Sequence, residues 1–166
     1  MARNRMWIPL ILTILLSGGL SQALAAPGQV HDTSRRLYDR VMEEFKHRDY
    51  EAALAGFRLF IELHSHSALA ANAHYWIGEC QYRMGRYKEA LNSFYNVVSY
   101  YPLSPKIAAS TLKLGQTYTR LGDQEKARMM FDRVVDQYPD SSEAELARKA
   151  IDVMASKDEP NAQPQE

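Results

Sequence analysis

"GRYKEALNSF", residues 85–94, offers a glycine, an aromatic residue, and then Ala90 and Phe94 four positions apart. It holds no group in a position that chemistry would demand. The same design stands thirty-seven residues upstream as "RDYEAALAGF" (48–57), with Tyr50, Ala53 and Phe57 in register. It stands again thirty-seven residues downstream as "GDQEKARMMF" (122–131), with Gln124, Ala127 and Phe131. A segment written three times at constant spacing is an architectural unit, since each copy buries its apolar face only against its neighbours.

The surrounding chain repeats apolar residues every three or four positions and has no alternating stretch, the signature of helices without strands. The pattern predicts helices over 34–47, 50–64, 68–84, 87–101, 105–120, 124–138 and 142–155. Gly85 and Gly122 suit left-handed helix ends. Asp49 and Asp123 suit N-caps, and Ser142 with Glu145 reads as a capping box. Pro102, Pro105 and Pro139 punctuate the turns between repeats. The expectation is an all-α solenoid of three helix pairs, 34–67, 68–104 and 105–141, closed by a capping helix at 142–155.

These residues resemble the tetratricopeptide-repeat (TPR) pattern. Gly78, Gly85, Tyr87, Ala90, Phe94 and Pro102 fall at its positions in the second repeat, and Gly115, Tyr118, Gly122, Ala127, Phe131 and Pro139 in the third. The first repeat keeps Tyr50, Ala53 and Phe57 but has Val41 and Arg48 at glycine positions and Ser65 at the proline. The thirty-seven-residue period, the Tyr101-Pro102 and Tyr138-Pro139 endings and the connection "YPLSPKIAASTLKLGQTY" are similar to the C-terminal TPR domain of the periplasmic, Tol-Pal-associated YbgF (CpoB) family. That resemblance covers roughly residues 34–154. It implies an envelope role linked to Tol-Pal and to peptidoglycan synthesis during division. The family's trimer-forming coiled coil has no counterpart in the ten or so residues before the first helix, so a monomer is expected.

Twenty basic residues balance twenty acidic ones, which argues against a nucleic-acid binder. Residues 1–25 read as a signal peptide: Arg3 and Arg5, the apolar run "WIPLILTILL" (7–16), then "ALA" (23–25), with cleavage expected between Ala25 and Ala26. An uncleaved anchor is the competing reading, although the run is only about half of the ~20 residues that span a bilayer. Processing would leave a soluble periplasmic chain with a net charge near −2. Residues 26–33 and the tail 156–166 are too polar to pack and are expected to be unstructured. The one cysteine, Cys80, forbids an internal disulfide.

Register locates the surfaces. Ala73, Ile77, Cys80 and Met84 form a stripe on the second repeat, as do Ser110, Leu114, Thr117 and Leu121 on the third. Both should bury against the preceding repeat. At the first repeat the stripe reads Arg36, Arg40, Glu43 and His47, the charged face of a terminal unit. Ala147, Ile151 and Met154 continue it into the capping helix.

Another face aligns Asn72, Trp76, Glu79 and Arg83, flanked by Tyr75 and Tyr82. Lys113, Gln116 and Arg120 come from the third repeat, and Arg35, Asp39, Met42 and Lys46 from the first. The TPR resemblance implies that this face lines a concave groove. The candidate partner-binding set is therefore Tyr75, Trp76, Glu79, Tyr82, Arg83, Lys46, Lys113, Gln116 and Arg120. Trp, Tyr and Arg dominate binding hot spots. The Lys46, Arg83, Arg120 ladder reads equally as cations placed to suit helix dipoles.

Neither His64, His66 and His74 nor Cys80 assembles a zinc-like or nucleophilic constellation. No metal, cofactor or catalytic residue is assigned. The expected function is a non-catalytic periplasmic adaptor for a protein or peptide partner, with an export, pilus or outer-membrane assembly scaffold or chaperone as the alternative.

Overall fold

In the computed structural model each of the three related segments opens the second helix of a helix pair. The structure describes residues 27–158. The signal-peptide reading, 1–25, lies outside the described residues, as does most of the expected tail. Seven helices follow in order: α1 (Pro27–Lys46), α2 (Tyr50–His64), α3 (Ala70–Arg83), α4 (Tyr87–Tyr100), α5 (Ile107–Leu121), α6 (Gln124–Gln137) and α7 (Ser142–Asp158). Each packs against its chain neighbours, and α7 also touches α5. The result is an all-α helical-repeat solenoid of three pairs with a terminal capping helix. Among the described residues, no helix is long and apolar enough to cross a membrane.

Two ends differ from the sequence expectation. The segment 26–33, expected to be unstructured, is helical from Pro27 onward. Proline fits a first helical turn because its missing N–H would be unpaired there anyway. Apolar periodicity, which starts only near Leu37, carries no signal for such polar turns. The last helix is capped by Ser141 rather than Ser142: Ser141 Oγ accepts from the Ala144 N–H at 3.1 Å. Ser142 Oγ instead donates to Glu143 at 3.1 Å.

The repeat chemistry is visible in the packing. Ala53, Ala90 and Ala127 are fully buried, and so are Phe57 and Phe94, with Phe131 nearly so. Burying a phenylalanine stabilises by about 1.5–3 kcal/mol. A Cβ on Gly78 would lie 2.6 Å from Phe94 Cε1, and one on Gly115 would lie 2.5 Å from Phe131 Cε1. The first repeat exchanges these roles across the helix pair. Val41 occupies the glycine position on α1, and Gly56 on α2 makes room, since a Cβ there would lie 2.5 Å from Val41 Cγ2.

Helix ends follow the repeat too, with one exception in each feature. Gly85 and Gly122 take left-handed φ values of 76° and 80°, and Arg48, at the equivalent position, takes 64°. Asp49 caps α2 by accepting from the Ala52 N–H at 3.0 Å. Asp123 caps α6 by accepting from the Lys126 N–H at 3.1 Å. Arg86 holds that position before α4 and makes no side-chain cap. It pairs with Glu51 of the preceding repeat instead.

The inter-repeat stripe is buried along most of its length. Leu121, expected to bury with it, is exposed at the end of α5, and Met84 is only half-buried just past α3, where no further turn packs over them. Ala73, Ile77 and Cys80 join the α1–α2 cluster around Tyr38, Leu54, Phe57 and Phe60. Ser110, Leu114 and Thr117 are fully buried, and Ala147, Ile151 and Met154 cover the cluster around Phe131 and Val134. Arg36, Arg40 and Glu43 are exposed on α1, as is His47 just past its end.

Candidate functional site

Spacings of four, three and four put Asn72, Trp76, Glu79 and Arg83 on one face of α3. Trp76 is half-buried and rests against Phe45 of α1, ring centres 4.7 Å apart, and against Tyr75 at 5.3 Å. Tyr75 is anchored in turn on Phe94 of α4 at 5.8 Å. The Lys106 ammonium, from the turn before α5, lies 4.9 Å from the Tyr75 ring centre and 5.8 Å from that of Trp76. Both distances are within cation–π reach.

One turn along α3, Glu79 is only 3% exposed. Its Oε1 forms an ion pair with Lys113 Nζ of α5 at 2.6 Å, outside the angles of a directed hydrogen bond. Its Oε2 lies 3.9 Å from Arg83 Nε. Lys113 also sits 5.2 Å above the Tyr82 ring. Arg120 Nε donates to the Tyr82 hydroxyl at 3.2 Å, which raises the Arg120 pKa further above its ordinary value. Burial, aided by the nearby Glu79 carboxylate, pushes the Tyr75 hydroxyl well above the usual tyrosine range.

The structure thus brings together Tyr75, Trp76, Glu79, Tyr82, Arg83, Lys113 and Arg120 from the sequence-derived set. Gln116 is half-buried on α5. Lys46 stands apart, paired with Glu43 of its own helix at 2.7 Å; Arg35 and Asp39 pair likewise at 3.0 Å. The three ladder cations occupy equivalent exposed positions, each engaged by a partner within its own neighbourhood. Sequence reasoning missed Lys106 and Phe45. Lys106 lies just before α5, where no helical spacing assigns it a face.

Of the other candidates, His66 is exposed and the rest are packed. His64 lies against Phe60, ring centres 5.4 Å apart, and His74 against Tyr101 at 5.5 Å, with burial lowering the His74 pKa. Cys80 is fully buried, and burial pushes its thiol up to about 12. Among the described residues, no three His, Cys, Asp or Glu side chains gather as a metal site would require.

Residues 69–140 match the tetratricopeptide-repeat family model, and the helical-repeat solenoid is consistent with that match. Solved structures share the fold. The Yersinia enterocolitica type III secretion chaperone SycD, in complex with a peptide of the translocator YopD, is 17% identical with a TM-score of 0.67, over 77% of this chain and 96% of that one. The TPR domain of Arabidopsis FLU is 20% identical with a TM-score of 0.62, over 69% and 100%. YrrB, a TPR protein with an unusual peptide-binding site, is 27% identical with a TM-score of 0.59, over 70% and 57%. No curated protein sequence matches the chain significantly.

Proposed function

We propose that this chain is a non-catalytic adaptor that holds a protein or peptide segment against the shared face of α3 and α5. The observation that carries the reading is the platform of Tyr75, Trp76 and Tyr82, partly exposed and overlain by Lys106 and Lys113. Rigid aromatic rings beside cations supply contact area at small entropic cost, the composition of binding hot spots. The peptide-binding site of YrrB, and the YopD peptide held by SycD, support the use of such a solenoid for capture.

The site of action in this proposal is the periplasm, after removal of residues 1–25, in envelope maintenance or division alongside Tol-Pal or peptidoglycan-synthesis components. That part rests on the leader-like sequence and the YbgF-like repeat pattern. A scaffold or chaperone of an export or assembly system is the second reading, favoured by the likeness to SycD.

The test is capture from envelope extract by the chain and by its Trp76→Ala and Arg120→Glu variants, with helical content and urea unfolding measured alongside. Partners that are lost with both folded variants support the adaptor. Capture unaffected by either overturns this face as the site. Fractionation and mass measurement of the exported protein test the location, and retention of residues 1–25 would refute the processing.

A further inference from the structure

We infer that the segment held by this face is acidic, a stretch of chain carrying carboxylates beside an apolar side chain. This rests on the adaptor reading and adds the chemistry of the partner.

The chain as a whole is formally neutral, but its charge is unevenly placed. From Ser104 to Leu121 there are three cations, Lys106, Lys113 and Arg120, and no carboxylate. α3 adds Arg83 and Glu79 alone. On the second helices the signs are nearly balanced: α4 carries Lys88 and Glu89, and α6 carries three of each sign. The excess is thus concentrated on the face that carries the aromatic platform.

Each of the four cations is accounted for. Lys113 neutralises the buried Glu79 at 2.6 Å, and Arg83 reaches the same carboxylate only at 3.9 Å. Arg120 is held by a neutral phenol, and Lys106 by neutral rings. Among the described residues, neither Arg120 nor Lys106 has a carboxylate within ion-pair distance. The four cations therefore outnumber the two carboxylates near the platform, the buried Glu79 and Glu143 of α7, whose field reaches Tyr75. A basic segment would be repelled and a neutral one would leave the charges unmatched, whereas carboxylates complement them and set specificity. The rings of Trp76 and Tyr75 lie close enough to Lys106 for an apolar side chain to rest beside a carboxylate. A neutral chain with so local a cationic patch lacks the broad basic surface of a nucleic-acid binder.

The experiment is selection of random displayed peptides on the full chain, followed by titration of the winning peptides, fluorescently labelled, against variants at low and high salt. The expected pool is enriched in Asp and Glu over the starting library. Its members should bind about tenfold more weakly to Arg120→Glu or Lys106→Glu at low salt, with Arg120→Lys restoring affinity. Both residues lie at the surface of the array, so these variants should fold; circular dichroism checks that. A pool that depends on Trp76 and Arg120 but lacks acidic enrichment overturns the acidic inference and leaves the adaptor reading standing. A pool indifferent to Trp76→Ala, Arg120→Glu and Lys106→Glu overturns both. Displacement of the peptides by single-stranded DNA at equal concentration would also overturn the assignment to an acidic peptide.

Discussion

Arg48→Gly should stabilise the protein. Arg48 ends α1 at φ 64°, where the second and third repeats have Gly85 at 76° and Gly122 at 80°. A side chain in this region costs about 1–2 kcal/mol from the clash of Cβ with the backbone. Glycine returns part of that gain, because its unfolded state is looser by about 0.5–1 kcal/mol. The Arg48 side chain is exposed, so little packing is lost. The net expectation is about 0.5–1 kcal/mol of added stability, or a rise in melting temperature of about 3 °C for an array of this size. The reciprocal change isolates the same term. A Cβ added at Gly85 would meet nothing within 4 Å, so Gly85→Ala should cost about 1 kcal/mol through backbone conformation alone. Urea unfolding followed by circular dichroism measures both, with an unchanged slope showing that only stability moved. If Arg48→Gly is destabilising, or Gly85→Ala is neutral, the left-handed turn does not carry the strain assigned to it.

Gly115→Ala should destabilise by up to about 2 kcal/mol, the ~1–3 of overpacking against Phe131 less the ~1 of helix propensity that alanine gains; urea melts will show it, and a stabilising result would mean that Phe131 can retreat. Lys113→Met should cost about 3 kcal/mol because it leaves Glu79 buried and unpaired, whereas Lys113→Met with Glu79→Met together should cost far less; equal losses in denaturant titrations would deny the coupling. The Cys80 thiol stays protonated up to about 12 in the folded chain against an ordinary value of 9.0. Between those values the unfolded chain releases a proton that the folded chain keeps. Stability should therefore fall with rising pH by up to about 1.4 kcal/mol per unit. Below pH 9 this contribution is constant, and Cys80→Ala should flatten the slope between pH 9 and 10, before the raised tyrosines such as Tyr75 add their own, in melts taken at several pH values.

The repeat array is legible in the sequence because three copies check one another. Ala90, Phe94 and Gly78 recur at fixed spacing, and the structure buries the alanines and phenylalanines as that spacing requires. Turn chemistry is less legible: Ser141 and Ser142 are adjacent hydroxyls, and only backbone direction decides that Ser141 caps α7. The proposed binding face is readable as a direction on α3. What lies over it is not, since helical spacing says nothing of the next helix. Glu79 reads as a surface carboxylate until α5 brings Lys113 above it. Trp76 reads as an open ring until Phe45 and Lys106 close on its sides.

Arg86 and its lost cap give the two joints of the array different characters. Between the first and second repeats the outer helices are joined by ion pairs, Arg86 with Glu51 and, at 3.9 Å, Arg58 with Glu89. Between the second and third, the contacts are a hydrogen bond between the Tyr95 and Tyr118 hydroxyls at 3.0 Å, the bond from Arg120 to the Tyr82 hydroxyl and the buried ion pair of Lys113 with Glu79. Exposed ion pairs contribute only ~0–1 kcal/mol each and are screened by salt. In a chain of nearest-neighbour couplings, the weakest link decides where the array opens. Ionic strength thus trims only the outer rim of the joint beside the first repeat, because Ala73, Ile77 and Cys80 seal its inside with apolar surface that salt does not screen.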